Sequence, residues 1–197
     1  MRNINKRVIV VVAVLVAAVS ALYIWQATRG SLAGGGYLRA EPPEWGYFNL
    51  LLPQRGDVSF GFYGQQANVY IAHYERDELV LRELVTGLAF GGANEVNGRL
   101  IWGITVEEDQ RRELRTFMQF EGGGVHAGHF DFSQIDFSPA SWADSSATIG
   151  GSHIELGRRY VLHIWQTEAR FWVDGDFFLP ERLRENEKTT ILYIVFE

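Results

Sequence analysis

The 197-residue chain is 47% hydrophobic and 21% charged, an ordinary globular composition of a length that usually makes one domain. It has no cysteine, which excludes disulfides, thiolate metal sites, a cysteine nucleophile and a lipid-modified cysteine anchor. The net charge of −6 is uneven: residues 1–36 hold Arg2, Lys6, Arg7 and Arg29 and no acid, so 14 of the 18 basic residues face all 24 acidic ones in the remainder, a net −10. A surface of that sign repels phosphate backbones, and no nucleic acid partner is expected.

The first element is an apolar run, Val8 to Trp25, interrupted among polar types only by Ser20. As a helix these residues would span about 27 Å, close to the hydrocarbon thickness of a bilayer. Arg2, Lys6 and Arg7 precede the run and only Arg29 follows closely, so the positive-inside rule keeps the N-terminus cytoplasmic. The organisation expected is a basic segment 1–7, a transmembrane signal-anchor 8–27 contacting membrane lipid through residues 8–25, and an extracytoplasmic domain 45–197. Cleavage as a signal peptide near Val19-Ser20-Ala21 is the alternative, and it exports the same domain. A flexible linker, residues 28–44, joins the two through the Gly34-Gly35-Gly36 run and Pro42-Pro43.

Beyond Trp45, short alternating or apolar segments separated by Gly, Asp and Asn clusters predict an all-β antiparallel sandwich. Strands are expected at 47–52, 58–63, 68–74, 79–84, 100–106, 114–120, 129–132, 160–166, 169–173 and 190–196. Branched and aromatic side chains dominate these segments, as suits a pleated, half-buried surface. Leu81, Leu84, Val85 and Leu88 also fit a helical face behind Asp77 as N-cap, an alternative to a hairpin turning at Glu75 to Glu78. The charge run 107–112 reads as a solvated hairpin tip.

Residues 160–175, YVLHIWQTEARFWVDG, place Tyr160, Leu162 and Ile164 on one strand face and Phe171 with Val173 on one face of the next, before a tight Asp174-Gly175 turn. This segment resembles the paired strands of concanavalin A-like and laminin-G-like domains. The resemblance implies a jelly-roll-like pair of curved antiparallel sheets and, often, a glycan-facing concave surface. It covers about a tenth of the chain and rests mainly on core-type residues, so it speaks to fold more than to function. The Glu-x-Asp-x-Glu strand of glycosidases in that group is absent from the sequence.

Two clusters carry candidate chemistry. Glu121, His126, His129 and Asp131 border or follow a glycine-rich stretch whose flexibility would let imidazoles and carboxylates surround a divalent metal ion. Trp165 faces opposite Ile164 and Trp172 opposite Phe171, which makes these two indoles the candidates for stacking on a sugar ring. No Gly-x-Ser-x-Gly elbow or phosphate loop occurs in the sequence. The expectation is a non-catalytic, membrane-anchored envelope protein with no cofactor. Its partner would be either a membrane protein complex, to which it is an accessory subunit, or a cell-surface glycan. A hydrolase built around His126 and His129 is the competing reading.

Overall fold

The computed structural model describes residues 36–41, 54–106, 111–121, 123–135, 143–145, 152–167 and 176–197. The apolar run Val8 to Trp25 and the expected strands at 47–52 and 169–173 lie outside them. Among the described residues, no helix is long and apolar enough to cross a membrane. The described structure is almost entirely strand: β1 Gly36–Ala40, β2 Gln54–Glu75, β3 Glu78–Val106, β4 Arg112–Phe120, β5 Val125–Asp131, β6 Ala143–Ser145, β7 Ser152–Ile154, β8 Arg159–Gln166 and β9 Lys188–Phe196. One 3-10 turn, Phe132–Gln134, and one helical turn, α1, Pro180–Leu183, complete it. Every pairing is antiparallel, in the order β5-β4-β3-β2-β9-β8-β6, with β1 bridging β2 and β7.

The hairpin at Glu75 to Glu78 forms, and the alternative helix does not. Glu75 pairs with Glu78 across a two-residue turn in which Arg76 takes a φ of 55°. Strands expected as four are two long ones, β2 of 22 residues and β3 of 29. Gly64 and the Gly91-Gly92 pair read as breaks, yet pairing resumes beyond them: Gly64 lies opposite Asn94 and Gln66 opposite Ala89, so residues 90–93 bow out against the single Gln65. A bulge of this kind bends a sheet without ending it. The break in the ladder is bridged from elsewhere, because the Glu197 carbonyl accepts the N–H groups of both Gln65 and Gln66.

The bend divides the sheet into two halves. The first comprises β7, β1, the beginning of β2, the end of β3, β4 and β5. The second comprises the beginning of β3, the end of β2, β9, β8 and β6. One buried cluster joins them, with Phe60, Leu100 and Phe130 from the first half against Ile71, Trp165 and Leu192 from the second. Phe196 of β9 lies 5.3 Å from Phe60 and 4.7 Å from Phe62, ring centre to ring centre, in the tilted arrangement that aromatic quadrupoles favour. Gly128 of β5 sits so close to the Val85 carbonyl of β3 that no side chain would fit between them. The last strand of one half thus abuts the edge strand of the other.

A second apolar cluster lies on the outer face of the second half. Ala72, Tyr74, Ile164, Ile191, Tyr193 and Val195 are covered there by Leu183 of α1, with Phe177 and Phe178 packed alongside. Two sequence expectations are corrected. Gly36–Ala40, expected within the flexible linker, is strand β1, and its Leu38 is fully buried. Tyr160, Leu162 and Ile164 do not share a face, because the register passes from Val161 opposite Tyr193 to His163 opposite Leu192 and leaves Leu162 as an extra residue. Beyond that bulge the alternation inverts, so Ile164 joins the outer cluster while Tyr160, Leu162 and Trp165 belong to the inner one.

Candidate functional site

The four residues expected around a metal ion are not brought together. The glycine-rich turn ends early: β5 starts at Val125, paired with Gln119, so both histidines stand on a strand. An offset of three puts His126 and His129 on opposite faces of it. His126 turns towards the Phe120 ring, 6.2 Å away and nearly perpendicular. His129 is exposed on the other face, opposite Arg115. Asp131 caps the 3-10 turn by accepting the Ser133 N–H at 2.8 Å, and Glu121 accepts from the Asn97 amide at 3.0 Å. Among the described residues no three His, Asp or Glu side chains gather as a metal ion requires.

Trp165 is also placed otherwise than the alternation predicted. It is 1% exposed, with Phe132 edge-on at 5.5 Å and the His163 ring at 4.4 Å. The bulge at Leu162 sends this indole into the core instead of towards solvent. Trp172 lies outside the described residues.

The most distinctive chemistry of the described surface is one the sequence did not announce. On the outer face of the second half, Tyr70 and Tyr193 are directly paired across β2 and β9, with rings stacked at 5.5 Å and 23°. The Arg82 guanidinium lies 4.5 Å above the Tyr70 ring and acts electrostatically on the Tyr193 phenol. The Arg159 guanidinium lies 3.8 Å above the Phe178 ring and acts electrostatically on the Tyr74 phenol. A cation over an aromatic face is held by the ring quadrupole, which fixes the arginine without neutralising it.

Electrostatics tie these groups together. Burial raises both phenols above the usual tyrosine range, and the guanidiniums of Arg82 and Arg159 each pull both of them back down. The Asp176 carboxylate acts in the raising direction on Tyr74. It also accepts the Phe178 N–H at 2.9 Å, which shapes the turn that delivers the Phe178 ring. Both arginines are exposed, and among the described residues neither forms an ion pair.

Apolar side chains flank the pair. Leu84 stands directly across from Tyr70 and Leu79 across from Tyr74, with Val80 in the bulge beside them. They are 52%, 49% and 53% exposed. The surface is assembled from positions as far apart in the chain as 70, 82, 159 and 193, so no local motif could reveal it.

No protein-family model, curated protein or solved structure matches the chain.

Proposed function

We propose that the chain is a non-catalytic, single-pass membrane-anchored protein whose exported domain, a jelly-roll-like antiparallel sandwich, binds a partner protein as an accessory subunit of a membrane complex. In this reading residues 8–27 hold the chain in the bilayer, the basic N-terminus stays cytoplasmic, and the β domain works close to the outer membrane surface. The observation that carries the binding role is the exposure of Leu79, Val80 and Leu84, on one strand and flanking Arg82, at about half their surface. Completing the burial of such side chains is worth about 1 kcal/mol each, half of the roughly 1.5–3 kcal/mol of full burial, and exposed apolar side chains gathered on one strand suit an interaction site.

Of the two ligand classes, a partner protein is better supported than a glycan. Aliphatic side chains dominate the exposed apolar positions near the arginines, whereas Trp165 is in the core. The net charge of −10 beyond residue 36 supports a partner other than nucleic acid.

The test is purification of the full chain from its native membrane in mild detergent, followed by mass measurement and identification of components. The expected result is extraction only by detergent, in a complex of fixed stoichiometry with another membrane protein. Release by high salt alone would sink the anchor, and a lone monomer in gentle detergent would sink the accessory-subunit reading.

A further inference from the structure

The arginine–tyrosine surface also identifies the chemistry of the partner, an inference that rests on the partner-binding reading above. We propose that Arg82 and Arg159, with Leu79, Val80 and Leu84, form the docking site for an extended segment of the partner protein that carries acidic and apolar residues together on one strand face. Its carboxylates meet the two guanidiniums and its apolar side chains cover the leucines and valine.

Charge complementarity selects this occupant. In a region with ten more acids than bases, most arginines would be expected to find a carboxylate, and several do: Arg99 with Asp57, Arg115 with Glu113, Arg158 with Glu155, Arg184 with Asp77. Arg82 and Arg159 are held over aromatic rings instead. That arrangement fixes both cations in advance and leaves guanidinium N–H groups available for an oxyanion, so less ordering is lost on binding. The aliphatic rim decides between macromolecules: Leu84 and Leu79 adjoin Arg82 by strand register, and they match apolar side chains better than sugar hydroxyls. An extended peptide turns every second residue to the sheet, so acidic and apolar residues two positions apart both meet this surface.

Full-length protein in detergent is titrated calorimetrically with a blocked peptide repeating Glu-Ser-Leu-Ser, which sets Glu and Leu on one extended face, with its Gln counterpart, and with a polygalacturonate oligosaccharide. The expected result is binding of the Glu peptide, at least tenfold weaker binding of the Gln peptide, and a similar tenfold loss in Arg82→Gln and in Arg159→Gln. Arg82→Lys keeps the charge without the fork and recovers part of the loss. Leu84→Ser changes a half-exposed side chain with no core role and weakens the peptide while leaving the melting temperature in place. This variant keeps the test valid if an arginine variant fails to fold. Equal affinity for the Glu and Gln peptides, oligosaccharide binding in place of peptide binding, no binding of any probe, or self-association that consumes the same arginines would each overturn the proposal. Co-purification of the membrane partner with Arg82→Gln and Arg159→Gln at unchanged yield would overturn this docking site and leave the accessory-subunit reading standing.

Discussion

The two halves of the sheet treat their outer faces differently. On the first half, arginine meets carboxylate: Arg99 grips Asp57 through two nitrogens, Nε at 2.8 Å and Nη2 at 2.5 Å, and Arg115 holds Glu113 at 2.7 Å. On the second half, arginine meets aromatic ring, and the face is partly roofed by α1 with Phe177 and Phe178. Pairing with a carboxylate neutralises a guanidinium, whereas seating it on a ring orients it and leaves its charge in play. One half therefore presents neutralised charge pairs beside scattered apolar side chains such as Tyr63 and Val125, and the other combines a second apolar layer with two available cations.

The largest expected effect tests the apolar layer. Tyr193 is 2% exposed, stacked on Tyr70 and met edge-on by Phe178 at 5.1 Å. Tyr193→Ala should cost about 3–5 kcal/mol in urea unfolding, the range for removing a buried aromatic side chain. Phe117, on the outer face of the first half, is only partly buried, and Phe117→Ala should cost less than half as much. Equal losses would mean that the two faces contribute alike and that the roof adds nothing.

Next comes the difference between the arginines. A double-mutant cycle on Arg99 and Asp57 should return a coupling of about 1 kcal/mol, since both side chains keep some solvent access and screening limits the pair. The pair should weaken as salt is added. Arg82→Gln should cost about 0.5–1 kcal/mol, the worth of an exposed cation–π contact. If Arg82→Gln destabilised the fold more than disruption of the Arg99 pair did, Arg82 would be chiefly a structural prop, and the contrast between the faces would fail.

The third effect appears in alkali. Desolvation raises the folded-state values of Tyr74 and Tyr193 above the usual tyrosine value near 10, so the unfolded chain ionises first. Their contribution is fully present below the unfolded value and is lost as pH rises through the higher folded values. Tyrosinate absorbance should show a class of late-titrating phenols that Tyr74→Phe and Tyr193→Phe remove one at a time, with a shallower alkaline loss of stability in each variant. Phenols titrating together at the ordinary pH would contradict the buried outer cluster.

Much of the sheet was legible because its strands alternate and its tightest turn is local. The segments expected at 114–120 and 190–196 fall within β4 and β9, and the hairpin at Glu75 to Glu78 is where the polar residues between two apolar segments placed it. The lengths of β2 and β3 were not legible, since Gly64 and Gly91-Gly92 signal turns in a one-dimensional reading but accommodate a bend once a partner strand bends in step. The face of Trp165 depended on one extra residue at Leu162, and alternation has no sign that warns of a bulge. The histidine pair failed as a metal site for the converse reason: its glycines implied a loop, and pairing with β4 made it a strand. The arginine–tyrosine surface was invisible because β2, β3, β8 and β9 create it together.

The smallest expected effect sits where the β2–β3 turn meets the segment carrying α1. Arg184 donates to the Asp77 carboxylate through Nε at 2.8 Å and through a second nitrogen at 2.7 Å, while the Arg76 N–H donates to the Glu187 carbonyl at 2.9 Å. The Arg184 hydrogen bond holds the Asp77 carboxyl below its ordinary value. The contribution of such a group is present above the unfolded carboxylate value and is lost as pH falls through the lower folded one, so it fades in acid below about pH 4. Both side chains are substantially exposed, which keeps the effect small. Asp77→Asn should therefore barely move the urea midpoint at neutral pH yet flatten its decline in acid, and Arg184→Gln should flatten it equally. A parent-like acid slope in both variants would show that the edge of the roof is held by backbone hydrogen bonding and apolar packing alone. The difference between the two outer faces would then owe nothing to this ion pair and would rest on the rings beneath α1.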